Sequence, residues 1–527
     1  MRLIAGLLLS LVLLPGLASA AIYDLNDSIR KLRLNIPDSV TVVRGILIYG
    51  NGAGGDSTGK ATSSELVAVA EQLGFAILAT GGWGNFGYND PPWVDFEINW
   101  MESRISQLAT MSNHPELINA PWLPMGHSNG GQMSYGMNAK RPHKVIGFIT
   151  SKGCCYNNFT PSEEALLTPG MLIAGENDSN KRRDNIRSLF DLNRPRGALW
   201  AWVEEQGVGH GEGDTQELKL AFLLECLRLR YPSNASTLDG PIVLKTLNEH
   251  DGWLVDQDTW FDGVTDVFPY EDASVDPATL GWVPSKRVAR LYQAFSSYNK
   301  VSVSDSGTSG VRTAPVSVNF EVDLTGSNWT RIEFFEGPNK IGEGFPGGGD
   351  SPSIAYQATE GRLHSHYGIV TLTDGSQRAT HLRRVFVKGV NPPSAFTAWA
   401  SANLPAGSDA ADQILFHDGI TNLKRFAFGL GTDPEIDRSR LPAVHLDLSG
   451  PDPMLVFQYQ ISEAAIESGI NIMPEISNDL TTWTPVVHEA LLNSAISIER
   501  TADQITIQVP AGDQRLFIRN GFSDTFQ

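Results

Sequence analysis

The stretch Leu123-Pro124-Met125-Gly126-His127-Ser128-Asn129-Gly130-Gly131 decides how the rest of the chain is read, because it fits the pattern G-x-S-x-G with Ser128 at its centre. A serine hydroxyl is a weak nucleophile. It attacks only when a sharp strand-to-helix turn lifts it to where a base and a substrate can both reach it. Gly126 and Gly130 flank the serine where side chains would collide with the neighbouring strand and helix, and Gly131 eases the packing further. Three fixed letters in five also recur in turns that carry no chemistry, so the surroundings have to decide.

Outward from the elbow, strand and helix patterns alternate. Residues 41–50 read as a buried strand, followed by a helix over 63–73, a strand over 75–80, a helix over 97–111 and the strand 122–126 that enters the elbow. Beyond it come strands over 144–150, 170–174 and 198–204, with helices over 184–192 and 215–229. Repeated βα units of this kind imply a mostly parallel sheet covered on both faces. Such sheets place their chemistry at the carboxyl ends of the strands, which is where partners for Ser128 belong.

Both partners are there. Gly175-Glu176-Asn177-Asp178 follows one strand and Gly207-Val208-Gly209-His210-Gly211 the next, giving the chain order Ser, Asp, His. His210 would take the Ser128 proton and return it to the leaving group, while Asp178 holds the ring. Asp178 also precedes a helix, so it could simply cap it, with Glu176 as the reserve acid. His127 is expected to point away from the base. The loop Asn51-Gly52-Ala53-Gly54-Gly55-Asp56 after the first strand lacks the G-x-x-x-x-G-K-[ST] spacing of a phosphate cradle. It reads as an oxyanion hole, with the N–H of Ala53 joined by that of Asn129. The aromatic, glycine-rich loop at 81–93 offers Trp83 and Asn85 as substrate contacts, against the plainer alternative of a packed surface loop.

On these residues, 21–300 resembles an α/β-hydrolase of the secreted esterase kind. The resemblance implies an acyl-enzyme mechanism without metal or cofactor. Where many family members carry His-Gly before the oxyanion residue this chain has Asn51-Gly52.

The chain has 527 residues, enough for two to four domains. Residues 1–20 carry Arg2, an apolar run and the small-residue end Ala18-Ser19-Ala20, the pattern of a secretory signal peptide, so a secreted or periplasmic protein beginning near Ala21 is expected. The apolar run is too short to span a bilayer, and no membrane insertion is expected. A formal net charge of -19 makes nucleic acid a poor partner. Three cysteines, Cys154, Cys155 and Cys226, exclude a disulfide scaffold and a four-cysteine zinc site. Cys226 reads as a packing residue, and Cys154-Cys155 as either free thiols or a vicinal disulfide.

Tryptophan-rich, irregular sequence after Pro232 reads as an extension packed on the hydrolase, ending in a helix over 286–296. The polar run at 302–310 marks a boundary. Short alternating strands over 316–322, 331–335, 353–357, 367–373 and 383–387 suggest a β-sandwich, similar to bacterial immunoglobulin-like modules, over 301–390. From 391 to 527 two helical pieces precede further strands, giving a second β-rich accessory module. Asp418-Gly419 lacks the D-x-D-x-D-G ligand series, so no metal is expected there. The expected architecture is therefore an α/β-hydrolase followed by two β-rich modules, whose expected role is attachment to carbohydrate or a cell surface. The expected substrate is an acetyl or feruloyl ester on polysaccharide. A polyester depolymerase, a serine peptidase and a non-enzymatic adhesin remain as alternatives.

Overall fold

The computed structural model describes residues 21–523 except 28, 84–90, 155–159, 233–234, 261–262, 307–309, 348, 360, 389–394, 406–419, 431–439, 451–452, 463–470, 478–483, 486–496, 501–503 and 511–516. The leader, Asn85, Cys155 and Asp418-Gly419 lie outside the described residues.

Eight strands build the sheet that carries the elbow. They are β1 (Ala21–Asn26), β2 (Lys31–Ile36), β3 (Gly45–Gly50), β4 (Phe75–Gly81), β5 (Trp122–Gly126), β6 (Phe148–Ser151), β7 (Gly170–Gly175) and β8 (Trp200–Glu205). Five pair in the order β1-β2-β4-β3-β5 and three in the order β6-β7-β8. Parallel bridges Trp122↔Val145 and His127↔Ser151 join the two sets into one sheet. Only the β1–β2 and β2–β4 pairings are antiparallel; every pair from β4 to β8 is parallel.

Alternation along the strands separates two cores. Leu47, Tyr49, Leu123 and Met125 face one side, where they meet helices α1 (Ser64–Leu73), α6 (Gln216–Arg230) and α7 (Lys286–Ser296) through Leu66, Phe222 and Leu291. Ile46, Ile48 and Trp122 face the other, against α2 (Pro91–Ser112), α3 (Asn129–Lys140) and α5 (Asn180–Asn193) through Met101, Met133 and Phe190. The short α4 (Glu163–Leu166) precedes β7. Cys226 is fully buried within α6, and burial pushes its thiol well up. Among the described residues, no helix is long and apolar enough to cross a membrane.

The tryptophan-rich segment folds into a small sheet, β9 (Trp253–Val255) between β10 (Val267–Pro269) and β11 (Gly281–Val283), with Trp282 fully buried. Two further sheets follow and make a sandwich. One has the order β12-β14-β17: β12 (Val303–Ser306), β14 (Val316–Val322) and β17 (Ser353–Ala358). The other has the order β13-β20-β18-β15-β16, with β19 (Gln377–Ala379) added on β18: β13 (Val311–Thr313), β15 (Trp329–Glu336), β16 (Asn339–Gly344), β18 (Leu363–Leu372) and β20 (Arg383–Lys388). The boundary read near residue 300 is crossed by shared core, since Leu363, Tyr367, Ile369 and Phe386 of the sandwich belong to the cluster built on α1, α6 and α7. The first compact unit accordingly runs to Gly389.

The second unit, Val390–Gln527, has its own core. Phe396 of α8 (Ala395–Asn403) and Phe426 of α9 (Asn422–Ala427) pack with Phe457 and Ile507. The last two come from β22 (Met454–Gln460) and β26 (Gln504–Pro510), neighbours in a sheet that also holds β21 (Ala443–Asp447) and β25 (Ser497–Arg500). The remaining strands, β23 (Asn471–Ser477), β24 (Thr484–Pro485) and β27 (Phe517–Ser523), form a three-stranded sheet.

Candidate active site

Ser128 sits between the end of β5 and the start of α3 with φ 56° and ψ −118°, a conformation that non-glycine residues rarely adopt. The turn persists because its neighbours leave no alternative. The Ser128 N–H is held by the Ser151 carbonyl at 2.8 Å. A Cβ on Gly130 would stand 2.2 Å from the Gly50 carbonyl oxygen, so α3 can lie this close to β3 only without a side chain there.

Ser128 Oγ is 3.0 Å from His210 Nε2, and His210 Nδ1 is 2.8 Å from Asp178 Oδ2. Asp178 is buried, and its other oxygen accepts the Ser179 N–H at 2.7 Å just before the following helix, so it is fixed from the backbone while it faces the histidine. Burial pushes its carboxyl up, but the hydrogen bonds from His210 and the Ser179 amide outweigh that and hold it below its ordinary value. An ionised carboxylate only accepts, so the ring proton on Nδ1 points at Asp178 and Nε2 is left to accept from the Ser128 hydroxyl. Glu176, the reserve acid, is engaged elsewhere: its Oε2 accepts the Gly207 N–H at 2.7 Å and clips the acid loop to the histidine loop.

The loop after β3 lies against the serine. A Cβ on Gly52 would come 4.0 Å from Ser128 Cβ. Buried Asn51 holds the loop's shape, donating to the Gly52 carbonyl at 2.6 Å and the Trp83 carbonyl at 3.2 Å while accepting from Thr80 Oγ1 at 2.7 Å. Gly54 N–H donates to the Trp83 carbonyl at 2.8 Å. Ala53 is exposed at the tip, and among the described residues no acceptor takes the N–H of Gly52 or Ala53. Asn129 supplies the first amide of α3, at the end of the helix where amides lack intrahelical acceptors.

Two expectations change. Trp83 does not line a cleft: it is 1% exposed, packed edge-on against Trp100 at 5.4 Å with Arg30 over the rings, while its carbonyl accepts from Asn51 and Gly54. His127 does not turn away from the base; its ring centroid lies 5.0 Å from that of His210. Burial, with Lys219 nearby, pushes its pKa down to about 4, so it stands beside the base as a neutral ring.

The sequence reading passed over Lys152 and Glu205, which are buried side by side with Nζ and Oε2 2.5 Å apart. Lys152 Nζ also donates to the Gly211 carbonyl at 2.6 Å, and Glu205 Oε1 accepts the Asp214 N–H at 2.6 Å, so the pair spans the loop that carries His210. A lysine directly after a buried strand was the available signal. Tyr49 and Glu212 meet at the same rim, the phenol donating at 2.9 Å. Among the described residues no group of three or more His, Cys, Asp or Glu is arranged to hold a metal.

A serine at a strained strand–helix turn after β5, with an acid after β7 and a histidine after β8 of one mostly parallel sheet, is the arrangement that the α/β-hydrolase fold uses. Among solved structures the chain is similar to esterase PE8, at 15% identity over 37% of this chain and 97% of that one, TM-score 0.30. It is also similar to the acetyl xylan esterase from Aspergillus awamori, at 12% identity over 38% and 99%, TM-score 0.29. A third match, the fibronectin(III)-like modules of Clostridium thermocellum CbhA, is 15% identical over 17% and 94%, TM-score 0.15. No family model and no curated protein matches the sequence. At these identities and scores, the functional reading stands on the chain's own geometry.

Proposed function

We propose that this protein is an exported serine esterase that cleaves carboxylic esters through an acyl-enzyme, with Ser128 as nucleophile, His210 as base and Asp178 as its orienting acid. The observation that carries the reading is the continuous hydrogen-bonded chain from Ser128 Oγ through the His210 ring to Asp178. In acylation Ser128 Oγ bonds to the ester carbonyl carbon as its proton moves to His210 Nε2. The C–O bond to the alcohol then breaks, and the alcohol leaves with that proton. Water repeats the sequence and releases the acid. Negative charge on the carbonyl oxygen is met by amides of the Gly52-Ala53 loop and of Asn129, where losing one donor typically costs about 3 to 4 kcal/mol of barrier.

For the substrate we propose an acetyl or feruloyl ester on polysaccharide. Support comes from the leader at 1–20 and the appended β-rich modules, which suit a large extracellular target. The burial of Trp83 withdraws one aromatic surface from that argument. A panel of acetylated and feruloylated saccharides, methyl esters, emulsified polyester and peptides separates the readings. Turnover concentrated on the saccharide esters is expected, whereas cleavage confined to polyester or peptide would replace the proposed substrate.

A further inference from the structure

The segment that carries His210 begins at Glu205, the last residue of β8, and ends at the first turn of α6. Its inner side rests on the Lys152–Glu205 pair, which reaches Gly211 at one point and Asp214 at another. Its outer leg is held by residues that come from the sandwich, more than a hundred positions later in the chain. Arg384 on β20 places Nη1 2.7 Å from Glu217 Oε1 in the first turn of α6, and its other nitrogens take both oxygens of Glu65 on α1, Nη2 at 3.0 Å. His381 Nδ1 lies 3.4 Å from Asp214 Oδ2. Asp214 and Glu217 belong to one turn, the Glu217 N–H donating to the Asp214 carbonyl at 3.1 Å.

Beneath these ion pairs the contact is apolar. Tyr367, Ile369, Leu382 and Phe386 of the sandwich share a core cluster with Leu218 and Phe222 of α6. The Arg384 pairs thus stand part-buried at the edge of this interface and are screened less than exposed ones, whereas the His381–Asp214 pair lies at its exposed rim. Burial pushes the Glu217 carboxyl up to about 7 against the pull of Arg384, so without the guanidinium it would rise further and the acid would take up a proton, losing the ion pair that ties the foot of the histidine segment to the sandwich.

We propose that the β-sandwich is a working part of the catalytic apparatus, with Arg384 and His381 acting as positioning residues that fix the His210 segment through Glu217 and Asp214. This rests on the esterase reading and gives the module a role other than attachment. A displacement of about 1 Å at a catalytic group can cost on the order of 100-fold in rate, so small slack at Asp214 and Glu217 suffices to be felt at His210.

The test uses the full chain and compares Arg384→Met, Arg384→Lys and His381→Ala with Lys388→Met, which removes a different ion pair across the same interface, that with Glu71 on α1 at 2.7 Å. Arg384→Met is expected to lower kcat about 10-fold with KM within about twofold, Arg384→Lys to recover part of the loss, and Lys388→Met to leave kcat in place. Amide exchange over 206–217 is expected to rise in Arg384→Met while β15 and β18 keep their protection. Should Arg384→Met not fold, Glu217→Gln, which keeps the shape and removes the charge, is expected to reproduce the drop in kcat. Unchanged kcat and unchanged exchange over 206–217, or equal losses from Arg384→Met and Lys388→Met, would overturn the proposal. If wild type turned over no ester, the esterase reading would fail by itself, and the exchange comparison would still decide whether the sandwich holds the segment.

Discussion

Gly175 and Gly209 touch backbone to backbone: a Cβ on Gly175 would lie 2.4 Å from the Gly209 carbonyl oxygen and 2.7 Å from that of Val208. The acid loop and the histidine loop therefore interlock, with Asn177 N–H donating to the Val208 carbonyl at 3.0 Å and Glu176 N–H to that of Glu205 at the same distance. Gly175→Ala forces the two loops apart between Asp178 and His210. Overpacking of this kind typically costs about 1 to 3 kcal/mol of stability. The larger effect is expected in kcat, down by about 100-fold. Steady-state kinetics alongside denaturant unfolding separates the two, and a variant that lost stability while keeping kcat would show that the interlock does not set the His210 position.

Asn51 gives a second prediction. Its amide joins the Gly52 and Trp83 carbonyls and Thr80, so Asn51→Ala releases the loop proposed to meet the carbonyl oxygen of a bound ester. A fall in kcat of about 10- to 100-fold with little change in KM is expected, as for a donor that works mainly in the transition state. Thr80→Val, which removes one contact from the same network, is expected to show a weaker version. A change confined to KM would assign the loop to binding instead.

The Lys152–Glu205 pair is buried on both sides. Lys152→Met leaves a carboxylate without its partner, and breaking a buried pair in this way costs about 3 to 5 kcal/mol. Adding Glu205→Gln removes the stranded charge and keeps an acceptor for the Asp214 N–H, so the double variant is expected to be more stable than Lys152→Met alone. Urea midpoints for the two variants check the order.

His366, inside the sandwich, couples stability to pH. It is 1% exposed and lies against Tyr356 and Phe320, and among the described residues neither ring nitrogen has a partner. Burial pushes its pKa down to about 4; nearby Glu336 pulls it up, while His364, Arg362 and Arg287 push it down. In the unfolded chain the ring takes its proton near pH 6.5, so between about 6.5 and 4 the unfolded state binds more protons and stability falls as pH falls. The full effect is on the order of 3 kcal/mol at the acid end. His366→Leu is expected to flatten that limb of the melting temperature against pH. A curve parallel to wild type would place the acid sensitivity elsewhere.

Ser128, Asp178 and His210 were legible in the sequence because each sits in a short glycine-flanked loop directly after an apolar strand, and a parallel sheet brings such ends together. The fate of Trp83 was not, because an aromatic after a strand reads the same whether it faces a cleft or a core. Arg30 and Trp100, distant in sequence, decide it. The union of the sandwich with the α/β domain escaped for a similar reason. In β18 both alternating sets are buried, His364 and His366 among them on one side and Leu363 and Tyr367 on the other, and alternation alone does not say which neighbour covers each.

The most direct measurement is the covalent reaction of the full chain with a fluorophosphonate, whose phosphorus is attacked by an activated serine with loss of fluoride. The account predicts a single modification at Ser128, loss of ester turnover in step with labelling, and labelling slowed at least about 1000-fold in His210→Ala. Modification at another residue, or ester turnover by Ser128→Ala equal to wild type, would contradict it.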